Sequence, residues 1–235
     1  QDFKLNSKAI ASLADRRWGV GFDQLLLLQK PNSTDHDFIY RVFNADGSEV
    51  SQCGNGARCL ALFIREEGLS DKSWITLKTS NGSLRVHLDS VTTATIELAA
   101  PVWEPAKIPF VADCESTIYE LDVDGQILEA GVVSVGNPHL ICQVPDLASS
   151  PFDLLGKSLS HHARFPDGAN VSFVQVINTS TLLMRVYERG VGPTEACGSA
   201  AFAATAVARL WGCVDENVLV QQPGGELSVT CSESQ

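Results

Sequence analysis

Two cysteines, each at the start of a helix, could do acid–base chemistry on carbon. Cys53 opens the stretch Cys53-Gly54-Asn55-Gly56-Ala57-Arg58-Cys59, where a polar turn over residues 44–52 gives way to the apolar body of a helix. Cys197 opens Cys197-Gly198-Ser199-Ala200-Ala201, 144 positions later. A helix start carries unpaired N–H groups and a positive partial charge. A thiol there can hold its thiolate form at neutral pH, and a bound carboxylate can rest on the N–H groups. Two such thiols facing each other across a cleft can take a proton from one face of a carbon and deliver one to the other. That inverts a stereocentre without a cofactor. Taken singly, either cysteine reads equally well as a small buried residue, and the glycines beside it as packing. Cys59 lies well over one helical turn beyond Cys53, so it faces elsewhere and is expected in the core.

The positioning elements come in two copies. Arg41-Val42-Phe43-Asn44 matches Arg185-Val186-Tyr187-Glu188 at the same offset, as Ala57 matches Ala201 and Gly68 matches Gly212. Asn81-Gly82-Ser83-Leu84-Arg85-Val86 matches Gly224-Gly225-Glu226-Leu227-Ser228-Val229 at an offset of 143. So long a period reads as two copies of one α/β unit rather than a solenoid. Pro101, Pro105 and Pro109 punctuate a crossing segment, which sets the expected lobes at 1–98 and 99–235.

Within the first lobe a helix is expected over 7–16 with Ser7 as N-cap, and a buried strand over 23–28. Strands follow over 38–43, in a hairpin about Asn81-Gly82, and over 93–98. The second lobe carries a hairpin of strands over 119–123 and 126–130 about Asp124-Gly125, a strand over 132–135 that runs into Gly136-Asn137-Pro138-His139 and continues over 140–144, and a helix over 152–161. Strands over 171–177 and 182–187, the Cys197 helix to about residue 211 and a last hairpin about Gly224-Gly225 complete it.

Composition narrows the function. The 235 residues carry a net charge of −11 with no basic patch, which argues against a nucleic-acid partner. No apolar run reaches membrane-spanning length, so no membrane partner is expected and the cytosol is the default. Seven cysteines, an odd number without framework spacing, read as reduced thiols. No His/Cys/Asp cluster has metal-ligand spacing and no lysine stands in a context for PLP, so neither metal nor cofactor is expected.

The stretch from Asn44 through Asp46-Gly47 and Gln52-Cys53-Gly54-Asn55-Gly56 to Cys59 resembles the first signature of the diaminopimelate epimerase family. Glu188-Arg189-Gly190-Val191-Gly192-Pro193-Thr194-Glu195-Ala196-Cys197-Gly198-Ser199 resembles the second. Gly136-Asn137-Pro138-His139, Arg164-Phe165-Pro166 with Asn170, and Gly19-Val20-Gly21-Phe22-Asp23-Gln24 are similar as well. The resemblance implies an α+β fold of two pseudo-symmetric lobes, each a curved, mainly antiparallel sheet around a central helix. It implies PLP-independent interconversion of LL- and meso-2,6-diaminopimelate on the route to lysine and peptidoglycan, in a homodimer. By the same resemblance Cys53 and Cys197 are the acid/base pair. Gln24, Asn44, Asn55, Asn137, Asn170, Glu188 and Arg189 would hold substrate, with Gly54, Gly198 and Ser199 as backbone and hydroxyl contacts.

The residue types suit that substrate, which is zwitterionic at both ends. Arg189 can pair a carboxylate, and Asn137 and Asn170 can accept or donate. Glu188 beside a thiol, and His139, are candidates for tuning its pKa. The resemblance also implies a chain that begins after the family's opening Gly-Asn-Asp-Phe turn, of which Gln1-Asp2-Phe3 echoes a fragment, and that stops before a final strand. Another cofactor-independent racemase and a non-catalytic binding protein are the alternatives, which an epimerisation assay separates.

Overall fold

Helix α1 (Ser7–Ala14) opens the first of two units, Gln1–Leu98 and Ala99–Gln235, in the computed structural model, which describes residues 6–31, 33–50, 53–80, 82–123 and 125–232. Its N-cap is Asn6 rather than Ser7: the Asn6 side chain accepts the Ala9 N–H at 2.9 Å from an extended backbone. Then come β1 (Gln24–Gln29), β2 (Phe38–Asn44), β3 (Glu49–Val50), α2 (Gly54–Glu66), β4 (Trp74–Thr79), β5 (Gly82–Leu88) and β6 (Ala94–Glu97). The strands form one sheet in the order β1-β2-β4-β5-β6, with β3 on β2. Among the described residues of this sheet only β2 and β4 run parallel, and α2 is the crossover between them. The expected buried strand at 23–28 is corrected: β1 starts at Gln24 and is nowhere fully buried, because it ends the described sheet and has one strand neighbour.

The core of this unit lies between α2 and the sheet. Ala57, Leu60, Ala61 and Ile64 pack on Tyr40, Val42, Ile75, Leu77, Leu84, Val86 and Leu88. Each large aliphatic side chain so buried contributes about 1.5–3 kcal/mol. Cys59 is exposed, against the expectation of a core position, because it stands off the 57-60-61-64 stripe, as does half-exposed Phe63.

The second unit opens with β7 (Tyr119–Val123), β8 (Gln126–Ser134) and β9 (Pro138–Gln143). Here the second strand of the hairpin about residues 124–125, expected over 126–130, and the strand expected over 132–135 are one: β8 runs unbroken over both, because it pairs with β7 along its first half and β9 along its second. There follow α3 (Phe152–Ser160), β10 (Asn170–Asn178), β11 (Thr181–Glu188), β12 (Gly192–Thr194), α4 (Gly198–Leu210), β13 (Asn217–Gln222) and β14 (Gly225–Thr230). The sheet order is β14-β13-β11-β10-β9-β8-β7, with β12 on β11. From α3 to β14 the unit repeats α1-β1-β2-β3-α2-β4-β5 element for element, including the parallel pair, now β11 and β13, joined by the cysteine helix. The molecule is thus α+β, two mainly antiparallel mixed sheets with few helices. Asn81, Asp124, Ser51-Gln52 and Gln1-Asp2-Phe3 lie outside the described residues.

Both cysteine helices end alike. Gly68 (φ +62°) and Gly212 (φ +72°) adopt the left-handed conformation, and their N–H groups return to Arg65 and Arg209 carbonyls at 3.1 and 2.8 Å. α4 is enclosed more fully than α2: Ala200, Ala201, Ala203, Ala204, Ala206 and Val207 are all buried, since β8 and β9 cover the flank that Cys59 and Phe63 leave open in α2. The contact is close. A Cβ on Gly131 in β8 would strike Val207 and stand 3.0 Å from Trp211. Gly131→Ala is therefore expected to destabilise by about 1–3 kcal/mol in denaturant unfolding. A change below about 0.5 kcal/mol would show that the helix can withdraw.

Candidate active site

Cys53 and Cys197 hold the same place in their units. Each is the N-cap of its helix, with φ/ψ of −135°/115° and −135°/118°. In the first unit the Cys53 sulfur accepts the Gly56 N–H at 3.4 Å. Below it the Tyr40 hydroxyl donates to the Cys53 carbonyl at 3.0 Å. Gly56 makes that approach possible: a Cβ there would stand 2.5 Å from the Tyr40 oxygen and 2.8 Å from the Leu26 side chain. Gln24 and Asn44 are cross-strand partners at the ends of β1 and β2, and Gln24 Nε2 donates to Asn44 Oδ1 at 3.2 Å. Asn44 Nδ2 in turn donates to Ser48 Oγ at 3.3 Å. Asn55, in the first turn after Gly54, accepts from Arg58 Nη2 at 2.5 Å.

In the second unit Cys197 is 9% exposed. Its sulfur lies 3.4 Å from Ser199 Oγ, and its N–H donates to Gln222 Oε1 at 2.8 Å. Burial, then the charge of Glu188, push the thiol up to about 11, against the pull of the Ser199 hydroxyl and of the Ala200 and Ser199 N–H groups. The helix start alone led to the expectation of a thiolate at neutral pH. For Cys197 desolvation wins and the resting species is the thiol. Glu188 itself accepts from Thr194 Oγ1 at 2.6 Å.

Beside it a second chain of contacts joins four of the expected residues. Pro138–Gln143 and Asn170–Asn178 run parallel with His139 opposite Asn170. His139 Nε2–H donates to Asn137 Oδ1 at 3.0 Å, and Asn170 Nδ2 stands 3.5 Å from the same nitrogen. Asn170 Oδ1 accepts the Arg189 N–H at 2.9 Å. The Arg189 guanidinium bonds the Asp167 carbonyl at 3.0 Å and is exposed, and among the described residues no carboxylate stands within ion-pair distance of it. His139 is fully buried, and its Nδ1 has no hydrogen-bond partner among the described residues. Burial, then the nearby Arg189 charge, lower it to about 3, so the ring is neutral. It touches amides, while the charge that acts on Cys197 is that of Glu188. Among the described residues no group of three or more His, Cys, Asp or Glu could hold a metal ion.

Sequence reasoning missed Gln222 and Thr194. For Gln222 a signal existed: Val218 and Val220 alternate as inward positions, which places an amide at 222 on the buried side.

The family model for diaminopimelate epimerase matches residues 1–103 and 131–235. A diaminopimelate epimerase of Coxiella burnetii (strain Dugway 5J108-111) is 47% identical over 227 residues, 97% of this chain and 82% of the relative. Among solved structures, a PhzF-family phenazine biosynthesis protein of Bacillus anthracis superposes with a TM-score of 0.66 at 20% identity, over 95% of this chain and 80% of that one. A hydroxyproline epimerase of Agrobacterium vitis superposes with a TM-score of 0.66 at 12% identity, over 94% and 71%. These two likenesses establish the fold.

Proposed function

Since the chain belongs to the diaminopimelate epimerase family, PLP-independent isomerases of amino-acid biosynthesis, we propose that it interconverts LL- and meso-2,6-diaminopimelate with Cys53 and Cys197 as its two acid/base groups. One observation carries the reading: the duplicated units present their cysteines as helix N-caps in the same backbone conformation. One thiolate removes the α-proton, breaking C–H and forming S–H. The opposite thiol gives its proton to the other face, forming the new C–H and leaving a thiolate. The two sulfurs exchange protonation states, so the reverse direction exchanges their roles. Cys197, a thiol at rest, is fitted to deliver the proton in one direction. The N–H groups at the helix starts stabilise the charge that develops on the substrate carboxylate.

Gln24, Asn44, Gly54 and Asn55 from the first unit, and Asn137, Asn170, Glu188, Arg189, Gly198 and Ser199 from the second, hold the zwitterion. Arg189 supports this by having no carboxylate partner among the described residues. A cytoplasmic homodimer completes the proposal, supported by the family and its biosynthetic role; no helix among the described residues is long and apolar enough to cross a membrane.

The test is epimerisation in D2O without added cofactor. Starting from LL substrate, meso product is expected to carry deuterium at the inverted carbon, because the delivered proton comes from a solvent-exchanged thiol. Failure to interconvert the isomers, or a requirement for added PLP, would overturn the proposal.

A further inference from the structure

Gln222 pairs the N-cap N–H of the Cys197 helix from outside the helix. In a capping box the N3 side chain bonds the N-cap N–H. In α4 that position is Ala200, which has nothing to offer. Gln222, the last residue of β13, supplies the acceptor instead, with its Oε1 2.8 Å from the Cys197 nitrogen. Two residues on, the Gly224 N–H donates to the Glu195 carbonyl at 2.7 Å. The turn from β13 to β14 thus grips residues 195–197 at two points. Gln222 is 8% exposed, and its Nε2 is buried without a hydrogen-bond partner among the described residues. The amide cannot turn over, since that would set a donor against the Cys197 N–H.

We propose that Gln222 is a positioning residue for Cys197: it fixes the N-cap backbone so that the sulfur stays beside the Ser199 hydroxyl. This rests on the reading of Cys197 as an acid/base group, but its consequence is testable without substrate. The charged group acting on the thiol is Glu188 of β11, and the polar groups that counter it are the Ser199 hydroxyl and the Ser199 and Ala200 N–H groups. Loss of the Gln222 contact frees the sulfur from the second set and leaves it with the first.

The experiment is alkylation by iodoacetamide at pH 8, resolved by peptide mass spectrometry, on the full chain and on Gln222→Met and Gln222→Glu. Cys53, in the other unit, is the internal standard. Cys197 in Gln222→Met is expected to react roughly ten-fold more slowly relative to Cys53, and kcat to fall with KM nearly unchanged. Gln222→Glu keeps the acceptor but adds a charge, so its Cys197 also slows, while its maximal rate at higher pH returns to the wild-type value. If folded Gln222→Met alkylates Cys197 at the wild-type ratio, Gln222 is only a structural residue and the proposal is wrong, whatever Gln222→Glu does. If Gln222→Met does not fold, Gln222→Ala, which also removes the acceptor, decides by the same ratio. Absence of epimerisation by the unaltered protein would instead count against the two-thiol reading, whatever the alkylation ratios.

Discussion

Cys53→Ala and Cys197→Ala are each expected to lower epimerisation by roughly three orders of magnitude or more, with the fold retained. Inversion needs a group on each face of the α-carbon, so loss of either stops the full reaction in both directions. Alanine fits both places. Cys197 lies in a hydrophobic core cluster rich in valine and alanine side chains, and losing one sulfur there costs about 1 kcal/mol. Circular dichroism and melting should therefore stay near wild type. Cys59→Ala is the control: the side chain is exposed on α2, and activity within two-fold of wild type is expected. A Cys53 or Cys197 variant that kept more than a tenth of the activity would remove that thiol from the mechanism.

A second large effect concerns His139 and acid. Its folded value is about 3 against an ordinary 6.5, so the folded state binds fewer protons than the unfolded state between those values. A group depressed in this way gives stability that is complete above pH 6.5 and is lost as pH falls toward 3. By pH 4.5 the loss is on the order of 3 kcal/mol, two units at about 1.36 kcal/mol each. The carboxylates held low by partners, such as Asp37 with Lys72 and Glu49 with Arg41, add their own loss mainly below pH 4.5. The window from 6.5 to 4.5 therefore isolates the histidine. Urea unfolding at several pH values should show wild-type stability falling through that window, and His139→Leu holding nearly flat from a lower start. Parallel curves for the two proteins would mean that His139 takes up its proton without unfolding.

Much of the fold was legible because it occurs twice. A repeat that keeps Arg-Val, Cys-Gly and the helix-ending glycines in register announces two similar units, and the units do share an element order. What the sequence hid was burial. The run Leu25-Leu26-Leu27-Leu28 reads as a core strand, but how many neighbours a strand has depends on topology. Cys59 was misplaced for a like reason: distance from Cys53 says which way it does not face, and only the packed stripe says which way it does. At the site, residue types pointed to both helix starts. They could not show that desolvation would outweigh the helix start at Cys197, nor that a glutamine 25 residues further on would complete its cap.

The parallel pairs have a consequence for how the protein is made. β2 and β4, like β11 and β13, cannot be joined by a tight turn, and in each case the long return leg is the helix that carries the cysteine. Chain entropy must be surrendered over that whole leg before the strand pairing rewards it. Each thiol therefore rides on the slowest kind of connection its unit contains, and is in place only when the sheet around it has closed. Because the units are consecutive, synthesis on the ribosome meets the same delay twice, the Cys53 unit closing while the Cys197 unit is still being translated.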